Sequence, residues 1–240
     1  MSYDSNNRWS ASASTSIPQV GIDVGLRNYM LRVYNYMAGG LAITGVVAYF
    51  AAASGFYEQI ARTPFIWVVV FAPLAIVLLL SYRLQKMSLG GAQATFWGFA
   101  GLMGLSLSYI FLVYTGASIA QVFFITAATF LAMSLYGYTT KTDLAKFGSF
   151  LMMGLFGIII ASVVNIFVGS SAVQFAISII GVLVFTGLTA WDTQQIKEMY
   201  WEGDGDVIAG KKAIMGALRL YLDFINLFVM LMQLMGNRRD

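Results

Sequence analysis

The sequence predicts an all-α integral membrane protein, built as a bundle of seven transmembrane helices. Of the 240 residues, 59% are hydrophobic and only 10% are charged, whereas soluble domains carry about 25% charged residues. A water-soluble fold could not hide so much apolar surface, so much of it must face lipid. Seven stretches are long and apolar enough to cross a bilayer, and the links between them are short.

The seven predicted spans follow one another closely along the chain. They cover residues 33–53, 65–82, 91–114, 118–138, 147–168, 172–191 and 213–235. Pro73 lies inside the second span, where a proline predicts a kink. The links 115–117 and 169–171 are tight turns, so the third and fourth spans, and the fifth and sixth, are expected to form hairpins. The longest link, 197–212, is polar.

Residues 1–30 are polar and are expected to form a cytoplasmic tail ahead of a transmembrane domain at residues 31–240. No apolar core follows a short basic start, so a cleaved signal peptide is not expected. Residues 20–32 are either an interfacial helix or part of a disordered tail. Ten of the 14 Lys and Arg residues fall on the N-terminal side of the predicted spans. The positive-inside rule therefore predicts a cytoplasmic N-terminus and a C-terminus outside.

The chain has no cysteine and no histidine. Disulfides, zinc or haem sites with such ligands, and Ser-His-Asp triads are therefore excluded. Proton chemistry must use Asp, Glu, Tyr, Lys or Arg, and no cofactor is predicted. The run Asp204-Gly205-Asp206 lacks the spacing and the closing Glu of a calcium-binding loop, so a solvated turn is expected there.

Two acidic residues lie in apolar surroundings rather than in the links. Asp192 ends the sixth predicted span, and Asp223 lies inside the seventh. An ionised side chain in the bilayer core costs at least about 2.5–3.5 kcal/mol on insertion scales. Each carboxylate is therefore expected to have a partner, a proton or a function. The alternative is an ion pair that only fixes helix packing, and Asp192 could also reach the interface.

The depth of the two aspartates decides whether they meet. Asp192 lies about 7–8 Å inward of Lys197, at 1.5 Å per residue. If Arg219 marks the inner interface of the seventh span, Asp223 lies about 6 Å further in and shares that level. If Lys212 marks it, Asp223 is about 16 Å deep and the two are staggered. Neighbouring carboxylates in a low-dielectric site share a proton, so a pair would form a pH sensor and an oxygen-rich site for calcium.

Two arginines are candidate charge partners for these acids. Arg219 precedes Asp223 by four residues, a spacing that favours a pair on one helix face and would keep Asp223 ionised. Arg83 ends the second span at the level expected of Asp192, so an Arg83–Asp192 bridge is a candidate latch between helices. An ordinary interfacial anchor is the alternative role for Arg83.

The stretches around the two aspartates resemble signatures of the Bax inhibitor-1 family, the transmembrane Bax-inhibitor-motif proteins, in its bacterial branch. These stretches are 189–196 (TAWDTQQI) and 220–228 (LYLDFINLF). The second is long and specific, and the helix count and polar N-terminal tail agree over about residues 25–236. The sequence departs from the family at Trp191, where Tyr is frequent, at Arg219, and in the length of the link 197–212.

The resemblance implies a bundle wrapped around a central seventh helix and a pH-dependent calcium leak. It implies that Asp192 and Asp223 form a di-aspartyl pH sensor that calcium could also contact, and that Arg83 resembles the latch partner. It places the chain in the plasma (inner) membrane of a bacterium. Some bacterial relatives bind and modulate a membrane-anchored protease, which is the candidate protein partner.

Three functions follow from these observations. The first is a cation leak channel, with calcium as the expected ion, gated by protonation of the aspartate pair and by release of an arginine. The second is a membrane regulator that binds a protease or another membrane partner, with purely structural buried charges. The third, an intramembrane aspartyl protease, is disfavoured because its expected Gly-x-Gly-Asp pattern here lies in a polar link. A non-enzymatic protein is therefore expected.

Overall fold

The computed structural model describes the backbone of residues 19–239 and the side chains of residues 24–239. These residues fold into helices and short connections. In chain order the helices are α1 (Gln19–Ala53), α2 (Phe56–Ala61), α3 (Phe65–Arg83), α4 (Leu89–Leu107), α5 (Tyr109–Val113), α6 (Gly116–Thr139), α7 (Ala145–Val168), α8 (Ser171–Glu198) and α9 (Asp206–Met235).

Within the described part of the chain, seven helical segments are long and apolar enough to cross a membrane. They are α1, α3, α4 with α5, α6, α7, α8 and α9, and no strand forms among these residues. The predicted all-α membrane bundle is therefore confirmed. The short helix α2 lies in the first link, and Ser108 interrupts the third span between α4 and α5. Both predicted tight turns are present, at 114–115 and at 169–170.

The helix α1 begins well before the predicted first span. Residues 20–32 are not a separate interfacial helix, because the chain stays helical from Gln19 to Ala53. The reason lies in the apolar spacing, since Tyr29, Met30 and Val33 are buried in the same core as the rest of α1. Residues 1–18, which hold most of the predicted tail, lie outside the described residues.

The helix α9 occupies the centre of the bundle. In its apolar stretch 61% of the residues are buried, against 11–39% in the other six spans. It packs mainly on α8, α1 and α6, and also contacts α4. The buried face of a helix is normally apolar, so a carboxylate on that face of α9 is an exception that needs an explanation.

Close contacts fix the helices that surround α9. Gly137 of α6 lies directly against the carbonyl group of Ala190 in α8, where any side chain would collide with the backbone. Small residues let helix backbones approach in lipid, where hydrophobic burial does not drive association. This contact places the inner part of α8 next to α6, two residues from Asp192.

The link between α8 and α9 is shorter than the sequence predicts. It spans residues 199–205, because α8 continues to Glu198 and α9 already begins at Asp206. Asp204 forms an ion pair with Lys212, so this part of the link is tied to the first turns of α9. We refer below to this end of the bundle as the α8–α9 end, and to the opposite end as the C-terminal end.

Candidate acidic site at the centre of the bundle

Asp223 lies near the middle of α9 and is buried, with 5% of its surface exposed. Its Oδ2 atom has no hydrogen-bond partner among the described residues. The neighbouring α9 residues Leu220, Tyr221 and Leu227 are completely buried. A carboxyl oxygen enclosed in this way is costly unless it carries a proton or meets a cation.

Asp192 of α8 faces Asp223 across the interface between α8 and α9. The two carboxyl groups are close enough for their charges to interact, but Oδ2 of Asp223 forms no hydrogen bond with Asp192. The side chain of Asp192 is 13% exposed. The structure therefore brings the two predicted residues together at one level. Of the two depths considered from the sequence, this proximity fits the shared level.

Arg219 supplies the positive charge at this pair. Its Nη1 atom lies 3.7 Å from Oδ1 of Asp192, and its side chain is 43% exposed. The predicted pairing of Arg219 with Asp223 on the same helix is not formed. Arg219 instead reaches across to α8, so Asp223 lies on the buried side of Asp192 and Arg219 on the exposed side.

The predicted Arg83–Asp192 latch does not form. Arg83 is exposed in the last turn of α3, and among the described residues the ion pairs are Lys212–Asp204 and Arg219–Asp192. The reason is the position of α3, which packs chiefly on α4 at the edge of the bundle. In this conformation Arg83 fits the alternative role of an interfacial anchor.

A chain of hydroxyl groups joins α1, α6 and α8 at Thr193, the residue after Asp192, and it was not predicted from the sequence. The hydroxyl of Tyr34 lies 2.6 Å from Ser134 Oγ, which lies 3.0 Å from Thr193 Oγ1. Thr193 also donates to the carbonyl oxygen of Thr189, one turn earlier. These bonds tie α1, α6 and α8 together beside the acidic pair. The four-residue spacing of Thr189 and Thr193 on either side of Asp192 was a signal that could have revealed this.

Apolar side chains fill the bundle between Asp223 and the C-terminal end. The Phe224 ring contacts Phe123 and Phe130, with centroids 5.6 Å and 5.5 Å apart. Beyond them lies a cavity of about 100 Å³, lined mainly by apolar residues that include Ile225 and Phe228. Apolar surroundings of this kind disfavour the passage of an ion, as at the hydrophobic gates of channels.

The acidic pair offers few ligands for a resident metal. Within residues 24–239, no group of three or more acidic side chains is arranged to hold a metal ion. Calcium takes six to eight oxygen ligands, and two carboxylates supply at most four. An ion at Asp192 and Asp223 would therefore complete its shell with water or hydroxyl oxygens.

Seven spans, of which α9 is the most buried, with two acidic side chains inside the bundle, define a polytopic membrane protein with an internal acidic site. The sequence model of the family described as "Inhibitor of apoptosis-promoting Bax1" matches residues 26–240. The chain belongs to this Bax inhibitor family.

Bacterial proteins resemble the chain over nearly its whole length. An uncharacterised protein of Rickettsia prowazekii is 51% identical over 97% of this chain and 99% of the relative. The inner membrane protein YbhL of Escherichia coli K12 is 48% identical over 90% of this chain and 94% of YbhL. An uncharacterised protein of Caulobacter vibrioides is 43% identical over 99% of both chains. Together with the seven apolar spans, the likeness to YbhL supports an integral inner-membrane protein.

Proposed function

We propose that the chain is a pH-sensitive leak channel for cations, calcium foremost, gated by the Asp192–Asp223 pair. The observation that carries the proposal is a buried carboxyl group, Asp223, with one oxygen left without a partner, beside the ion pair of Asp192 and Arg219 in an apolar bundle. Such a pair has no evident use in packing, because an apolar contact of the same volume would hold the helices as well.

The charges at the site suggest how the gate is held. If the two carboxyl groups share one proton, the pair carries a single negative charge. The guanidinium group of Arg219, 3.7 Å from Asp192, balances that charge. The cluster is then neutral inside the membrane, and α8 and α9 stay together. In this proposal Arg219, not Arg83, acts as the latch.

A change of pH unbalances this cluster. Loss of the shared proton leaves two carboxylates that repel each other across the α8–α9 interface. Gain of a second proton leaves Arg219 without its counter-charge, so that it can turn toward water. Either change weakens the contact between α8 and α9. In this mechanism the arrangement described above is the closed state, because the side chains beyond Phe224 are mainly apolar.

Calcium is the proposed ion because hard carboxylate oxygens suit it. A site of only two carboxylates favours passage over storage, since conduction needs binding that is weak enough to release the ion. The proposal includes no catalytic step and no cofactor.

Calcium influx into proteoliposomes between about pH 6 and pH 8 tests this function. We expect influx that depends on the protein and on pH, with a profile that flattens in Asp192→Asn and Asp223→Asn. Asp206→Asn is the matched control, because Asp206 lies on the same helix as Asp223 but is exposed in its first turn. It should keep the pH profile of the unaltered protein. Influx no greater than that of empty liposomes at every pH would reject the channel.

The alternative proposal is a regulator that binds a membrane-anchored protease or another membrane partner. It is favoured by the polar stretch at residues 1–18, which precedes the first helix. Deletion of these residues separates the two proposals. If the shortened protein no longer binds the membrane partner but conducts calcium as before, residues 1–18 bind the partner. If it binds the partner as before, support for this alternative is removed.

A further inference from the structure

A second polar site lies at the C-terminal end of the bundle, far along α9 from the acidic pair. A cavity of about 450 Å³ opens between α5, α8 and α9. Its polar lining comes from Tyr109, Tyr114, Gln174, Gln233 and Arg238, and its floor is apolar. This volume falls within the range of about 300–1,000 Å³ that is typical of small-molecule sites.

The segment after α9 is held in place over this cavity. The backbone N–H of Thr115 donates to the carbonyl oxygen of Asn237 (3.0 Å), and the N–H of Arg239 donates to the carbonyl oxygen of Val113 (2.9 Å). The N–H of Asn237 also donates to Ser118 Oγ (2.9 Å). Segments that follow a last helix commonly fray unless they are tied down, so these bonds fix residues that would otherwise move.

The pairing of this segment aims Arg238 at the cavity. Arg238 and Tyr114 form an antiparallel bridge, and directly opposed residues in such a pair project their side chains to the same side. Both residues line the cavity. Arg238 is thus held beside the cavity by backbone bonds of its neighbours, which do not depend on its own charge.

The glutamine side chains present donors rather than acceptors. Oε1 of Gln233 accepts hydrogen bonds from Gln174 Nε2 (2.7 Å) and from Ser178 Oγ (2.9 Å). Oε1 of Gln174 accepts from Asn165 Nδ2 (3.3 Å). Both amide oxygens are therefore occupied, and the amide N–H groups of Gln233 have no partner among the described residues. The cavity offers one cation, an amide donor and two phenol hydroxyls.

We infer that this cavity binds a phosphate group. Donors that converge from α5, α9 and the segment after α9 suit an oxyanion with several oxygens, and arginine is the preferred cation for phosphate. Tyrosines collect where a membrane meets water, so Tyr109 and Tyr114 place the site at the depth of lipid headgroups. The apolar floor has room for the first methylenes of an acyl chain. The phosphate comes either from a phospholipid headgroup or from solution.

Lipid binding to the purified full chain tests this inference. Native mass spectrometry in detergent would count bound phosphatidylglycerol and bound diacylglycerol with the same acyl chains. Arg238→Gln should bind phosphatidylglycerol about tenfold more weakly, the size expected for a lost hydrogen bond to a charged group. Arg239→Gln is the matched control, because it removes the same charge from the next residue and leaves its backbone bond to Val113 intact. It should change binding less than twofold.

Inorganic phosphate identifies the source of the group. Displacement of bound phosphatidylglycerol by millimolar inorganic phosphate supports a site that is open to solution. Tighter binding of phosphatidylglycerol than of diacylglycerol, without displacement by inorganic phosphate, supports a site for the lipid headgroup. Equal loss in Arg238→Gln and Arg239→Gln would overturn the inference, because it would reveal general charge attraction. Equal binding of diacylglycerol and phosphatidylglycerol would also overturn it.

A second variant, Gln233→Leu, tests the site independently in case Arg238→Gln does not fold. Gln233→Leu keeps Arg238 and removes an amide donor, so it should weaken phosphatidylglycerol binding several-fold while diacylglycerol binding stays the same. Thermal unfolding of each variant without lipid should match that of the unaltered protein within a few degrees. If both variants fold and bind phosphatidylglycerol at full strength, the site is not the one described.

Discussion

At the scale of single residues, Arg219 decides how the acidic pair is charged. It lies four residues before Asp223, yet it pairs with Asp192 on the neighbouring helix. Side chains in a helix lean toward its N-terminus, so the long Arg219 side chain extends toward the α8–α9 end, where it is partly in water. The sequence places the three charges near one another, but only the packing of α8 on α9 selects the partner.

Replacing Arg219 should change the pH dependence of calcium influx. In Arg219→Gln, we expect the influx profile to move to higher pH by about one unit, because a nearby cation no longer favours ionised carboxylates. Arg219→Lys keeps the charge and should move the profile by less than half as much. Proteoliposome influx at closely spaced pH values measures both. Identical profiles for Arg219→Gln and the unaltered protein would show that Arg219 does not act on the gate.

Tyr221 illustrates a buried hydroxyl that contributes to stability. Its OH lies 2.6 Å from Thr44 Oγ1, and Thr44 also donates to the carbonyl oxygen of Ala100. Tyr221→Phe should lower the free energy of unfolding by about 0.6–1.5 kcal/mol, the usual range for such a bond. Tyr82→Phe is the control, since Tyr82 is 82% exposed. Equal unfolding free energies for the two variants would contradict this role for the bond.

At the scale of elements, the contact of α6 with α8 positions Asp192. The contact depends on Gly137, which lies against the Ala190 carbonyl group. The hydroxyl contacts from Tyr34 through Ser134 to Thr193 add α1 to the same junction. Asp192 lies on α8 and Asp223 on α9, so a shift of α8 moves one carboxyl group relative to the other. The position of α8 is set by its packing on α6, α7 and α9.

Gly137→Ala should disturb this junction. The added methyl group would force α6 and α8 apart, and we expect a loss of about 1–3 kcal/mol of stability, as for overpacked cores. Calcium influx should also become less dependent on pH, because Asp192 moves with α8. Gly101→Ala is the matched control, since an added methyl group there meets open space. Thermal unfolding of the two variants should differ by several degrees, and equal unfolding would argue against a tight contact.

At the scale of the whole molecule, apolar length and composition predicted the seven spans well. The helix α1 begins earlier than predicted, at Gln19, and Tyr29, Met30 and Val33 are buried in its first half. Hydropathy detects the apolar, lipid-facing part of a helix and misses the more polar turns that precede it. The two motifs singled out Asp192 and Asp223, but the sequence did not decide whether the two residues meet, because their depths depended on which basic residue marks the interface. The predicted ion pair of Arg83 with Asp192 is not formed in the structure, and the sequence does not reveal that α3, which carries Arg83, lies at the edge of the bundle.

The orientation of the bundle in the membrane stays a prediction with a direct test. Because the chain has no cysteine, single cysteines can be introduced as unique labels. Glu202→Cys in the α8–α9 link should resist a membrane-impermeant maleimide added outside intact cells, and Ser170→Cys in the α7–α8 turn should react. The positive-inside rule gives this expectation. The reverse labelling pattern would invert the predicted topology.

The central position of α9 also has a consequence for biosynthesis. Residues 206–235 leave the ribosome after the other six spans, yet these residues form the axis on which α1, α4, α6 and α8 pack. Until α9 enters the bilayer, the earlier helices lack the central helix on which they pack. The finished core is therefore assembled in one late step, and a ribosome that stops before residue 206 releases a chain that lacks the surface its other helices need.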